Sequence, residues 1–148
     1  MIAAGEAAPS FRATTHEGSA VESDGGARSR VLVLYFYPRD ETPGCTREAC
    51  SFRDAFSAYS EAGADVVGVS TDSAEAHRGF AQHHRLPFGL IADTDGRLAG
   101  AFGVPVSSGY TARTTVVIGR DGRVARVFPN VRVDGHSDEV LAAVRAAR

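Results

Sequence analysis

A seven-residue run of β-branched and aromatic side chains, Val31 to Tyr37, is the feature that most constrains the fold. Strands with one solvated face alternate between apolar and polar residues, and this run does not alternate. It is also far shorter than the roughly 20 residues that a membrane-spanning helix requires. The run therefore predicts a central β-strand that is covered on both faces of its sheet.

The rest of the chain places strands and helices around this strand. A second buried strand is predicted at Val66–Ser70, and a short one near Gly89–Ile91. The turn Gly119–Gly122 separates two further strands, Thr114–Ile118 and Val124–Phe128. Helices are predicted at about Pro43–Ala62, at Ser73–His84, briefly before Phe102, and at Ser137–Arg148. This order predicts an α/β protein with a thioredoxin-like fold, in which a central mixed β-sheet is flanked by helices on both faces.

Composition narrows the classes of function. The 148 residues suffice for one domain, so we expect residues 1–148 to form a single unit. A net charge of −2 gives no reason to expect nucleic acid or an anionic membrane as a partner. The N-terminal segment lacks the basic and apolar stretches of a secretory signal, and we therefore expect a cytoplasmic protein. All 16 basic residues are arginine, which excludes catalysis through a lysine Schiff base.

The segment around the first cysteine has the features of a helix start. Thr42 is a good N-cap residue, and Pro43 suits the first helical position, where a missing N–H costs nothing. Cys45 then falls in the first turn, where unpaired N–H groups and the helix dipole favour an anion such as a thiolate. Greater acidity alone speeds such a thiol only a few-fold, because nucleophilicity falls with basicity. Fast chemistry at Cys45 would need additional groups that stabilise developing charge.

The second cysteine lies on a different side of the same predicted helix. Cys45 shares a stripe with Ala49 and Phe52 that should face the core, whereas Cys50 is rotated away from that stripe by roughly 140°. Five residues along an intact helix separate two Cα atoms by about 8.7 Å, and a disulfide requires less than about 7 Å. A bond between these cysteines would require the first helical turns to unwind, and Gly44 weakens the helix there.

Two other interpretations of the cysteines remain open at this point. They could be inert small residues, or they could bind zinc. Zinc sites commonly pair cysteines two to four residues apart with further Cys or His ligands at matched spacing. The histidines show no such pairing, and His83 and His84 look like a solvated helix end. We therefore expect no metal ion and no organic cofactor.

The segment from Tyr35 to Cys50 closely resembles the peroxiredoxins. Their signature, Pro-x-x-x-Thr-x-x-Cys, is matched by Pro38, Thr42 and Cys45. The fuller string Tyr-Pro-x-Asp-x-Thr-Pro-Gly-Cys-Thr-x-Glu-Ala-Cys is similar to the Q-type, or bacterioferritin comigratory protein, subfamily. Similarity extends to the start of the chain and to the segment 113–118.

The resemblance implies a role for each matching residue. Cys45 would attack the peroxide and become a sulfenic acid, and Cys50 would resolve it as an intrasubunit disulfide. Thr42 would offer its hydroxyl to thiolate and substrate, and Arg113 would stabilise the thiolate and the transition state. Pro38 would shield the sulfur from water. Glu48 would orient the arginine, although it could also be an ordinary exposed glutamate on the helix.

The resemblance also implies the reaction and its partners. The substrates would be hydrogen peroxide and organic hydroperoxides, and thioredoxin or a similar dithiol would reduce the disulfide. The enzyme would be a monomer. One departure is the segment Gly103–Ala112, which is shorter than is usual in the family and could alter the mouth of the site. Two rival interpretations remain: a thiol–disulfide oxidoreductase of the thioredoxin type, and a redox-sensing interaction protein whose Cys45–Cys50 disulfide is a signal.

Overall fold

The computed structural model describes residues 1–148, and its elements follow one another in an α/β order. The strands are β1 (Phe11–Thr14), β2 (Ala20–Ser23), β3 (Val31–Phe36), β4 (Ala64–Ser70), β5 (Gly89–Ala92), β6 (Val106–Ser107), β7 (Tyr110–Thr111), β8 (Thr114–Ile118) and β9 (Val124–Phe128). The helices are α1 (Pro43–Asp54), α2 (Phe56–Glu61), α3 (Ala74–His84), α4 (Arg97–Ala101) and α5 (His136–Ala147). None of these helices combines the length and the apolar composition that a membrane span requires.

The central sheet has five strands in the order β5-β4-β3-β8-β9. Strand β3 lies in its middle, parallel to β4 and antiparallel to β8. Every residue from Val31 to Tyr37 is buried, because each face of β3 is covered. The prediction of a central strand within a mixed sheet is therefore confirmed.

The two faces of the sheet carry different layers. Side chains of Val31, Val33 and Tyr35 join a core with residues of α1, α2, α3 and α5. Leu32 and Leu34 point to the opposite face, where residues of α4 and of the β1–β2 hairpin complete a second core. Helices thus flank both faces, as predicted, but four of them lie on the face that carries α1.

The long helix predicted from Pro43 to Ala62 is interrupted, and this part of the prediction was wrong. At Ala55 the backbone has φ −95° and ψ 4°, which separates α1 from α2. The bend lets Phe56 pack against Phe88, with ring centroids 6.5 Å apart. It also leaves the Tyr59 hydroxyl 2.6 Å from the Ser137 carbonyl oxygen, to which it donates. These tertiary contacts stabilise the break in the helix, and they cannot be predicted from the helical periodicity of the sequence.

Candidate active site

The topology of the central sheet brings Cys45 and Arg113 close together, although they are far apart in the sequence. Phe36, the last residue of β3, pairs with Thr114, the first residue of its antiparallel neighbour β8. The loop that follows β3 and the residue that precedes β8 therefore lie at the same edge of the sheet. That loop leads into α1 and Cys45, while Arg113 stands immediately before β8. The Arg113 carbonyl also accepts a hydrogen bond from the Val131 N–H at 3.1 Å, which fixes its backbone.

The Arg113 guanidinium bridges a sulfur and a carboxylate. Its Nη2 donates to Sγ of Cys45 at 3.3 Å, and its Nη1 donates to Oε1 of Glu48 at 2.6 Å. Cys45 is 1% exposed and Glu48 is fully buried, so water screens these interactions little. Such a guanidinium stabilises a thiolate and has further N–H groups for an oxygen that gains negative charge.

Glu48 is not the ordinary exposed glutamate that was the alternative in the sequence analysis. It lies on the buried side of α1, next to Cys45 and Ala49. Burial raises the pKa of Glu48 to about 7, although the Arg113 guanidinium lowers it. Burial also lowers the pKa of Arg113, but the Glu48 carboxylate and the Cys45 sulfur more than offset this and raise it above its ordinary value. The arginine therefore stays charged beside the sulfur.

Replacement of Glu48 by glutamine should remove a pH dependence of stability. Between its ordinary value of 4.5 and about 7, Glu48 holds a proton in the folded protein that the unfolded chain releases. Raising the pH through this window therefore destabilises the wild type relative to Glu48→Gln, by roughly 3 kcal/mol in all. Urea unfolding at a series of pH values measures the difference, with the exposed Glu61→Gln as control. A difference that stays constant from pH 4.5 to 7 would contradict the shifted ionisation.

Gly44 makes room for the arginine, a contact that the sequence analysis missed. A Cβ atom at this position would lie 3.2 Å from Nη2 of Arg113, which is tighter than an ordinary contact. From the sequence, Gly44 is expected only to weaken the start of the helix. The structure adds a steric reason for glycine beside the reactive sulfur.

Substitution of Gly44 by alanine should slow the oxidation of Cys45 by about tenfold. The new methyl group would push the guanidinium away from the sulfur, and a displacement of a fraction of an ångström weakens a charge-assisted hydrogen bond. Stopped-flow measurement of the reaction with hydrogen peroxide tests this. Gly79→Ala on α3, where a Cβ meets no atom within 4 Å, is the matched control. Equal rates for the wild type and Gly44→Ala would show that the close approach has no role.

Thr42 and Pro38 lie in the loop between β3 and α1, as expected. Thr42 is the N-cap residue of α1, with extended backbone angles, but its side chain does not cap the helix. Its hydroxyl donates to the Arg39 carbonyl at 3.0 Å and not to the Cys45 sulfur. The expected Thr42–sulfur bond is thus not formed in this conformation, because a backbone acceptor three residues earlier takes the proton. Pro38 is half-buried, and its shielding of the sulfur stays a prediction.

Cys50 is half-buried on the same helix, and both cysteines are free thiols. All residues between them are helical, and the first turn is closed by the Thr46 N–H donating to the Thr42 carbonyl at 2.8 Å. With α1 intact, the standard helical separation of the two Cα atoms exceeds the reach of a disulfide. Pairing of the cysteines therefore requires the start of α1 to open.

A buried polar network holds the loop that precedes α1. Asp40 accepts from the Tyr37 hydroxyl at 2.6 Å and lies 2.7 Å from Nδ1 of His77, while its own N–H donates to Asp72 at 2.9 Å. His77 Nε2 lies 3.0 Å from the Ile91 carbonyl. Both ring nitrogens of His77 thus lie within hydrogen-bonding distance of an oxygen atom. This network was not predicted from the sequence, where its only signals are Asp40 within the signature string and a histidine at a core-facing position of α3.

The segment Gly103–Ala112 forms a small hairpin of β6 and β7 beside this loop. The hydroxyl of Tyr110 accepts a hydrogen bond from the Arg39 guanidinium at 3.2 Å, and the ring lies 5.9 Å from the same group. Both Tyr110 and Val106 are more than 40% exposed. This segment thus contacts the loop that carries Thr42 and ends close in sequence to Arg113.

The site thus has a buried thiol at the start of a helix, an arginine that donates a hydrogen bond to it, and a second thiol on the same helix. These features define a thiol-based redox site. The comparisons with known proteins agree. The model of the AhpC/TSA family matches residues 4–127. A putative peroxiredoxin bcp of Coxiella burnetii is 42% identical over 147 residues, which cover 95% of this chain and 97% of that protein.

Solved structures give the same result. Peroxidoxin BcpB of Mycobacterium tuberculosis superimposes with a TM-score of 0.90 at 35% identity, and covers 100% of this chain and 99% of its own. The bacterioferritin comigratory protein of Xanthomonas campestris, whose alkyl peroxide reduction has been studied structurally, has a TM-score of 0.84 at 34% identity and coverages of 92% and 90%. The chain belongs to the AhpC/TSA family, in which its relatives are peroxiredoxins of the Q type. It is a thiol-dependent peroxidase with the thioredoxin fold, and the two rival interpretations are not supported.

Proposed function

We propose that Cys45 is the thiol that reacts with peroxide and that Arg113 is its principal electrostatic partner. The observation that carries this assignment is the 3.3 Å hydrogen bond from Arg113 Nη2 to Cys45 Sγ. Of the two cysteines, Cys45 alone has a guanidinium against its sulfur. Glu48 supports the arrangement, because its 2.6 Å bond to Nη1 fixes the plane of the guanidinium.

In the first step, the Cys45 thiolate attacks the terminal oxygen of a hydroperoxide. An S–O bond forms while the O–O bond breaks, so the sulfur is oxidised to a sulfenic acid and the peroxide is reduced to an alcohol or to water. Negative charge develops on the departing oxygen, which takes up a proton. Arg113 stabilises that charge, and stabilisation of developing charge supplies more of the acceleration than thiol acidity does.

In the second step, Cys50 attacks the sulfur of the sulfenic acid at Cys45. An S–S bond forms, the S–O bond breaks, and the hydroxyl leaves as water. Because α1 separates the two sulfurs, its first turns must unwind during this step. The turn holds only a few hydrogen bonds, and the glycine at position 44 lowers the cost of opening. A dithiol reductant of the thioredoxin type then reduces the disulfide and returns both thiols.

Thr42 and Pro38 complete the proposed site. On opening or on substrate binding, the Thr42 hydroxyl would turn from the Arg39 carbonyl towards the peroxide. Pro38 would exclude water from the sulfur. We further propose hydrogen peroxide and organic hydroperoxides as substrates, thioredoxin as reductant, a monomeric single-domain protein of residues 1–148, and a cytoplasmic location.

Replacement of Cys45 by serine should abolish turnover. A serine hydroxyl is not ionised at neutral pH and is a far weaker nucleophile towards peroxide than a thiolate. Consumption of hydrogen peroxide, and separately of an alkyl hydroperoxide, in the presence of thioredoxin and its reductase measures the effect. Sustained peroxide consumption by Cys45→Ser would contradict the assignment, and far-UV circular dichroism of the variant confirms that it is folded.

A further inference from the structure

A second cluster of ligand-bearing side chains lies on the surface near the start of α1. It comprises Glu41, in the loop before that helix, and two adjacent histidines, His83 and His84, at the end of α3. One ligand atom from each residue lies within 4.8 Å of the others. None of the three takes part in the thiol chemistry described above.

The carboxylate of Glu41 joins the two imidazoles. His83 Nδ1 lies 3.0 Å from Oε2, and His84 Nε2 lies 2.8 Å from Oε1. Four ligands in a tetrahedron around zinc would be about 3.4 Å apart, given metal–ligand bonds of about 2.0–2.2 Å. A single oxygen, Oε1, lies 3.2 Å from His83 Nδ1 and 2.8 Å from His84 Nε2, so these two distances need to widen by only a few tenths of an ångström to admit an ion. The side chains of Glu41 and His83 are exposed and can make such a shift.

The positions of the ligands are held by their surroundings. The His84 side chain is only 17% exposed, and its ring packs edge-on against Phe80 with centroids 5.1 Å apart. The His83 ring packs on the His84 ring at 4.1 Å. Glu41 has a φ of 64°, an uncommon conformation for a residue other than glycine. The ligand atoms therefore converge before any ion binds.

We propose that Glu41, His83 and His84 form a binding site for one divalent transition-metal ion of the zinc class. Imidazole and carboxylate ligands suit zinc, nickel and copper, whereas magnesium and calcium prefer sites built from oxygen alone. Three protein ligands leave the remaining coordination positions to water. The spacing of the histidines could not show this site, because the third ligand lies 42 residues away from His83.

The charges nearby limit how tightly the ion is held. The Arg53 guanidinium donates to the His84 carbonyl at 2.8 Å and places a positive charge close to the site. Its Nε is paired with the Asp54 carboxylate at 3.0 Å, which offsets that charge in part. A bound ion would tie the loop before α1 to the end of α3, so it should raise the thermal stability of the folded protein.

Titration of the full-length protein with zinc tests the proposal. The cysteines could themselves bind zinc, so the titration uses the Cys45→Ser/Cys50→Ser protein. We expect isothermal titration calorimetry to show one zinc ion per chain, and nickel to raise the melting temperature by several degrees. Magnesium should do neither. Absence of saturable zinc binding at this stoichiometry would overturn the proposal.

Ligand variants show whether the ion occupies the proposed place. Loss of a group that merely orients a ligand weakens metal binding 10- to 100-fold, so loss of a direct ligand should cost about 100-fold or more. We expect this loss in both Glu41→Gln and His83→Ala. The His83 side chain is 66% exposed, so His83→Ala should fold normally. Gln82→Ala, an exposed neighbour on α3, is the matched control and should bind as before. Equal zinc affinity in all three variants would overturn the site.

Discussion

Substitution of Arg113 by alanine should slow the oxidation of Cys45 by hydrogen peroxide about 10²- to 10³-fold. That is the usual cost of removing one preorganised donor from a developing oxyanion. The guanidinium lies 3.3 Å from the sulfur in a setting where Cys45 is buried. Loss of thiol acidity alone would reduce the rate only a few-fold. The second-order rate constant from stopped-flow fluorescence or competition kinetics therefore distinguishes the two effects.

Two further variants separate catalysis from stability. Arg113→Ala removes the guanidinium that lowers the pKa of buried Glu48, so this side chain must take up a proton and loses its hydrogen-bond partner, which destabilises the protein. Glu48→Gln/Arg113→Ala has no ionisable group at position 48, so it should regain the stability that depends on protonation of Glu48 and should remain slow. Arg47→Ala, an exposed arginine of α1 that pairs with Asp134, should react at the wild-type rate. A loss of only a few-fold in Arg113→Ala, or recovery of the rate in the double variant, would contradict the role of Arg113 in stabilising charge.

Replacement of Cys50 by serine should leave one turnover and block the next. Cys45 keeps its arginine in this variant, so it should still consume one equivalent of peroxide per chain at close to the wild-type rate. The sulfenic acid formed would have no partner thiol in its own chain. Thioredoxin-linked turnover should therefore fall to the level of the background reaction.

The product of that single turnover can be identified directly. A sulfenic acid adds one oxygen atom to the chain, and a sulfenic-acid-selective dione reagent should label Cys45 in the variant. Excess peroxide should convert it further to the sulfinic acid. Sustained thioredoxin-linked turnover of Cys50→Ser would refute the resolving role of this residue.

Much of the fold could be predicted because its signals are local or repetitive. The continuous apolar run of β3 identifies a strand covered on both faces, and the turn at Gly119–Gly122 predicts the antiparallel pair β8 and β9. The break at Ala55 could not be predicted, since helical periodicity continues across it. It is decided by packing of Phe56 and Tyr59 against distant segments.

Some residues of the site could likewise be predicted from local sequence, and others could not. Cys45, Cys50 and the N-cap position of Thr42 follow from the start of one helix. Arg113 came only from the family resemblance, because a local pattern cannot show that antiparallel pairing of β3 with β8 brings it to the sulfur.

Three features of the surroundings came from the structure alone. They are the bond of the Thr42 hydroxyl to the Arg39 carbonyl, the buried Asp40–His77 pair, and the convergence of Glu41 with the histidines of α3. Each depends on the three-dimensional arrangement of the residues in contact, which cannot be derived from the sequence pattern. The last two join residues about 40 positions apart.

The most direct test of the two-thiol cycle is peptide mapping after a single oxidation. Reduced protein is treated with one equivalent of hydrogen peroxide without reductant, blocked with an alkylating agent, digested and examined by mass spectrometry. We expect loss of both free thiols and an intramolecular Cys45–Cys50 disulfide in a monomeric chain, which can form only if the start of α1 has opened. Recovery of alkylated Cys50 together with disulfides between Cys45 residues of two chains would contradict it.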